Sequence, residues 1–151
     1  MRLRKNLYPS AGIMHSCYTA SMVTKQTQLT WNPTDQVTLF DSSQNKVQNV
    51  SASDLLPMSL IGCTSHDIRE ILFKQRQQLK ELIITAQSTQ DDDPPWAFRK
   101  IHIHYQVIGK NIDIEKARKA IKISEEKYCA VYATLKDVVE ITHDVEVMDV
   151  E

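Results

Sequence analysis

Two cysteines, Cys63 and Cys129, are the residues best placed to do chemistry in this chain. Cys63 closes the apolar run Leu55-Leu56-Pro57-Met58-Ser59-Leu60-Ile61-Gly62, and His66 and Asp67 follow it at i+3 and i+4. On a helix those spacings put both side chains on neighbouring parts of the surface, where an imidazole could bond or protonate near a sulfur. Cys129 follows Ser124-Glu125-Glu126-Lys127-Tyr128. That stretch reads as the first turn of a helix capped by Ser124, with two acids where the dipole favours them. A thiol about one turn after a helix start ionises more readily, and the thiolate is the reactive form. Two such thiols can reduce a substrate and close a disulfide if the fold brings them together. Each alone has a plainer reading, since free cysteine also packs as a small hydrophobe. Zinc on Cys63, His66 and Cys129 is a further arrangement, but CxxH without a second close pair is a weak ligand signal. No metal or cofactor is expected.

Several other residues invite chemistry and have simpler explanations. His102 and His104 alternate along one strand face and read as solvent-facing. The Asp91–Asp93 run reads as a solvated loop, and Trp31 and Trp96 as buried anchors. Cys17 is given no role. The 3 glycines form neither a GxGxxG nor a GxxxxGK[ST] motif, which argues against the common phosphate-cradling loops. A formal net charge of -1 supplies no global field for nucleic acid, and no apolar run has membrane-spanning length. The basic start Met1-Arg2-Leu3-Arg4-Lys5 lacks a following apolar segment, so no export signal is read and a cytoplasmic location is expected.

The elements that must position the thiols follow from periodicity. The 151 residues fit a loose N-terminal tail over 1–18 and a single domain over 19–151. Ala20–Trp31, Gln36–Phe40 and Lys46–Val50 read as a small meander, turned at Asn32-Pro33-Thr34-Asp35. Ser51 or Ser53 starts a helix, Ser51 and Asp54 forming a partial capping box. Pro57 removes one backbone bond there and is expected to kink the first turns. The stretch from Leu55 to Ile61 is apolar nearly all round and should be covered on every side. Glu81–Gln87 and Phe98–Ile108 are strands; in the second, Ile101, Ile103, Tyr105 and Val107 share one face, and Gly109 ends it. A short helix carries Ile114, Ala117 and Ile121, the Ser124 helix follows, and Val138–Met148 is a last strand. The order is βββ-α-ββ-αα-β, an α+β layout. A single sheet cannot cover the first helix on all sides, so a tight homodimer is expected.

Ser53-Asp54-Leu55-Leu56-Pro57-Met58-Ser59-Leu60-Ile61-Gly62-Cys63-Thr64-Ser65-His66-Asp67 resembles the central-helix motif of the OsmC/Ohr family, named for osmotically inducible protein C and organic hydroperoxide resistance protein. Ser124–Val131 resembles its second cysteine motif and Val139–His143 its last strand. The likeness runs from about Ser51 to Met148 and is strongest to the short bacterial OsmC-like branch. It implies an intertwined α+β homodimer with the Cys63 helices in the middle. It also implies a peroxidatic Cys63, a resolving Cys129, a hydroperoxide substrate, organic for a site walled by Leu, Ile and Met, and an external dithiol reductant. Well-studied members orient an N-terminal-sheet arginine at the thiolate with a glutamate before the helix. Here no arginine lies between Thr19 and Ser51, and Asp54 holds the acid position. Activation of Cys63 is therefore expected from His66. A second reading keeps the fold without catalysis, as a binding or redox-sensing module with structural cysteines.

Overall fold

The computed structural model describes residues 28–32, 36–40, 46–48 and 50–150. The expected tail, Cys17 and the first part of the expected first strand lie outside these residues. The chain divides into two compact units, one ending at Gln48 and the other beginning at Asn49. In the first, β1 (Gln28–Asn32), β2 (Gln36–Phe40) and β3 (Lys46–Gln48) form an antiparallel meander, with Thr30 opposite Thr38 and Leu39 opposite Val47.

The second unit starts with α1 (Leu55–Lys74), whose 20 residues span about 30 Å. Asp54 is its N-cap but makes no side-chain capping bond, and Ser51 Oγ pairs with Ser53 Oγ at 2.9 Å, so the expected capping box does not form. Pro57 costs no helical bond either. It falls in the first turn, where an N–H has no carbonyl to reach, and the Met58 N–H donates to Asp54 O at 3.0 Å directly after it. Leu60, Thr64, Ile68 and Leu72 recur every four residues and are buried. Met58 on the other side is 48% exposed, so this segment is not covered all round among the described residues.

A three-stranded sheet lies against that stripe. β4 (Gln78–Gln90) pairs antiparallel with β5 (Phe98–Lys110), and β5 pairs in parallel with β6 (Glu140–Asp149). Alternation along β5 holds: Ile101, Ile103, Tyr105 and Val107 are fully buried, while His102, His104 and Gln106 face the other way. Gly109 does not end the strand. The β4 backbone lies against it, and a Cβ there would collide with Gln78 O. Trp96 is not a buried anchor; it is 56% exposed in the β4–β5 loop, with a left-handed φ of 53°.

The parallel return from β5 to β6 uses α2 (Ile114–Ile123), capped by Asp113 on the amides of Glu115 and Lys116, and α3 (Ala130–Leu135). Between them Ser124–Tyr128 forms a five-residue π-helical turn. Ala117, Ala120 and Ile121 of α2 close the core with the α1 and β5 residues, Val139 and Cys129. The class is α+β, as expected.

Candidate functional site

Cys129 is not one turn inside a helix. Ser124 stays helical, at φ -58° and ψ -52°, because its hydroxyl donates to Asp67 Oδ2 at 3.0 Å rather than capping an amide. The π-turn then spends five residues, and the chain extends at Cys129 (φ -75°, ψ 100°) before α3. Cys129 is itself the N-cap of α3: its Sγ accepts the Tyr132 N–H at 3.3 Å.

This geometry sets the thiol against α1. Cys129 is 1% exposed, and the Cys63 side chain lies near enough to raise its pKa. Cys63 is half-buried on α1 and packs against the same core. Burial first, then the Cys63 side chain, push the Cys129 thiol up to about 12, while the Tyr132 and Val131 amides pull the other way. Cys129 therefore keeps its proton at neutral pH. The two thiols, 66 positions apart in sequence (129 minus 63), are brought together.

Two other expected site residues are not. His66 is exposed and makes no hydrogen bond or ion pair with any described residue. It faces a groove of about 590 Å³ shared with Asp67, Glu70, Lys74 and Tyr128. Asp54 is exposed nine residues before Cys63, about 13 Å along the helix axis. The group beside Cys63 is the Cys129 thiol instead. Among the described residues, no three His, Cys, Asp or Glu side chains converge as metal ligands would.

Several polar groups near the thiols carry no mark in the sequence. Thr64, fully buried one residue after Cys63, donates to Leu60 O and Ile61 O at 3.2 Å each. Tyr105 is fully buried on β5, and burial raises its pKa far above the usual phenol value. Thr64 is near enough to oppose that rise, yet the Tyr105 hydroxyl makes no well-directed hydrogen bond. His143 of β6 packs edge-on against the Tyr105 ring, with centroids 6.0 Å apart. Its Nδ1 lies 2.9 Å from Glu125 Oε1, an ion pair when the imidazole is protonated. The Glu125 carboxylate, only 10% exposed, raises the His143 pKa, and burial opposes that rise. No spacing rule pairs residues 125 and 143; the parallel register of β6, Ile103 opposite His143, brings them together.

The OsmC-like protein family model matches residues 43–144. Protein YhfA of Escherichia coli K12 is 32% identical over 98 residues, covering 65% of this chain and 73% of that one. A hypothetical protein of Aquifex aeolicus shares the fold at a TM-score of 0.78 and 25% identity, over 86% of this chain and all of the other. The organic hydroperoxide resistance protein OhrB of Bacillus subtilis superposes at a TM-score of 0.55 and 13% identity, over 82% and 98% of the two chains, a likeness of fold. With both cysteine-bearing elements inside the matched residues, the chain belongs to the OsmC-like protein family.

Proposed function

We propose that this protein is a thiol-dependent peroxidase that reduces hydroperoxides, organic ones preferred, with Cys63 peroxidatic and Cys129 resolving. The observation that carries the reading is the side-by-side placement of the two thiols, one half-buried and one fully buried with its proton retained. Family membership and fold kinship with an organic hydroperoxide resistance protein support it. The Cys63 thiolate attacks the terminal oxygen of ROOH, the O–O bond breaks, and the alkoxide takes a proton and leaves as alcohol. Cys63 is then a sulfenic acid. The Cys129 sulfur attacks it, water departs, and a disulfide remains, which an external dithiol reduces. Leu60 and Ile61 beside Cys63 favour an apolar R group.

The functional unit in this reading is a homodimer, supported by the half-exposed Met58 on the face of α1 that one chain leaves open. A cytoplasmic site suits two thiols that must be re-reduced. No helix is long and apolar enough to cross a membrane among the described residues. The test mixes reduced protein with cumene hydroperoxide and maps disulfides by mass spectrometry. A Cys63–Cys129 disulfide formed at one per chain is expected; persistence of both free thiols would rule the reading out. One observation favours a redox-sensing alternative with the same pair: no lysine, arginine or histidine hydrogen-bonds to either sulfur among the described residues. Multiple turnovers with excess dithiol separate the enzyme from the sensor.

A further inference from the structure

Ser124 is fully buried, and its hydroxyl donates to Asp67 Oδ2 at 3.0 Å. A buried helical hydroxyl can satisfy itself on the carbonyl one turn back, as Thr64 does on Leu60 O. Ser124 reaches across to α1 instead. Among the described residues, no other hydrogen bond from an oxygen or nitrogen joins α1 to the stretch from Ser124 to Leu135. Asp67 stands four residues after Cys63, one helical turn along the same face of α1. Ser124 stands one turn before Cys129, because the Cys129 N–H closes the π-turn on Ser124 O at 2.8 Å. The hydroxyl bond thus lies one turn from a cysteine on both elements. The fifth residue of the π-turn makes that match. An ordinary α-turn from Ser124 would end at Tyr128, which is 62% exposed, whereas the π-turn delivers the buried Cys129. Cys129 is then fixed within its own segment: its carbonyl accepts the Ala133 N–H at 3.0 Å and its sulfur the Tyr132 N–H at 3.3 Å. Those bonds orient the sulfur, and Ser124 carries the segment's bond to α1.

We propose that Asp67 and Ser124 are positioning residues for disulfide closure: their hydrogen bond holds the π-turn against α1, so that the Cys129 sulfur meets Cys63 already oriented. This rests on the two-cysteine reading above. The path from α1 to the resolving residue has no gap, running from Asp67 Oδ2 to the Ser124 hydroxyl, and from Ser124 O to the Cys129 N–H. Orientation fixed before reaction speeds an intramolecular displacement, and a small misplacement slows it. Losing the bond should leave the fold in place. Asp67 lines the groove of about 590 Å³ that Tyr128 also lines, so water can take over its carboxylate. The same turn is tethered to β6 through Glu125 and His143 at 2.9 Å, and that tether survives.

The test needs no peroxide, so it fails or succeeds separately from the proposed function. In a Cys17→Ser background, DTNB places thionitrobenzoate on Cys63 and releases a first equivalent. Cys129 then loses its proton to buffer, its sulfur bonds to Cys63, and a second thionitrobenzoate leaves with the electron pair of the broken S–S bond. This second phase is independent of DTNB concentration. Ser124→Ala should leave the first phase unchanged, and Ser124→Ala and Asp67→Ala should each slow the second about 10-fold. The double variant should be no slower than either single one, because both remove the same bond. Asp67→Asn keeps an oxygen that accepts the hydroxyl proton and should recover most of the rate, which loss of packing or of charge would not allow. A wild-type second phase in Ser124→Ala overturns the proposal. So does a double variant slowed by the product of the single effects, an Asp67→Asn as slow as Asp67→Ala, or a wild-type chain with no second phase. If the variants behave as expected but hydroperoxide never oxidises Cys63, the positioning role stands and the peroxidase reading falls. If hydroperoxide closes the disulfide as fast in Ser124→Ala as in the wild type, the peroxidase reading stands and the positioning role falls.

Discussion

The two faces of one sheet each bring histidine to carboxylate, with opposite consequences. On the outer face His102 Nε2 and His104 Nδ1 share Asp144 at 2.9 and 2.8 Å. On the helix-covered face His143 meets Glu125 at 2.9 Å. The distances match, but the surroundings do not. Asp144 is 53% exposed and Glu125 10%. Water screens the outer cluster, as it does most surface ion pairs. The inner carboxylate sits where screening is weak, and its charge reaches Tyr105, Tyr132 and His143. Residue type and spacing produced a pair on both faces; the helices over one of them determine which carboxylate is buried.

Neighbouring residues of β5 test that contrast most strongly. Ile103 is fully buried against the helices, and Ile103→Ala should cost about 2–5 kcal/mol through lost burial and a residual cavity. His104→Ala, one residue on, should cost no more than about 1 kcal/mol. Urea unfolding midpoints at constant slope read both. Comparable losses would mean that the outer face is covered in solution, and the contrast would collapse.

The next effect compares the two carboxylates. Glu125→Gln removes the charge of a largely buried carboxylate beside His143 and should destabilise by about 1–3 kcal/mol. Asp144→Asn should stay below about 1 kcal/mol. Thermal melts at neutral pH rank them, and the reverse order would show that screening on the outer face has been overestimated. Tyr105→Phe goes the other way. It deletes a buried hydroxyl without a well-directed partner, so stability should hold or rise by up to about 1 kcal/mol. A loss above about 2 kcal/mol would mean that the hydroxyl is firmly bonded and contributes to stability.

Much of this architecture is legible in residue order, for physical reasons. Alternation from Ile101 to Val107 sorts the β5 faces because a strand has a period of two, and the four-residue stripe from Leu60 to Leu72 marks the covered side of α1. Both cysteine motifs stand out, and the fold brings them together. The setting of Cys129 does not stand out. Ser124 looks like a cap until Asp67, 57 residues away, takes its hydroxyl. A π-turn then shifts every later position, so a sulfur supplies the cap that an oxygen was expected to give. Expecting His66 to activate Cys63 treated helix adjacency as contact, yet its side chain points into a separate groove. Glu125 and His143 meet through the crossover register, which no local pattern encodes.

The smallest effect is a pH dependence of the inner pair. Glu125 raises the His143 pKa, chiefly by direct pairing and further by charge, with Asp144 adding to it and burial opposing. The folded chain therefore holds this proton more tightly than the unfolded chain, whose value is about 6.5. A raised value contributes stability that is fully present below pH 6.5 and is lost as pH climbs through the folded value. Cys129, Tyr105 and Tyr132, which face the pair, are all raised and titrate well above this window, and Asp144 is lowered and titrates well below it. The wild-type melting temperature should thus decline as pH rises from 6.5. His143→Gln should flatten that decline. If His143→Gln keeps the full slope, the responsive group lies elsewhere, and the inner pair loses its claim to a distinct electrostatic setting.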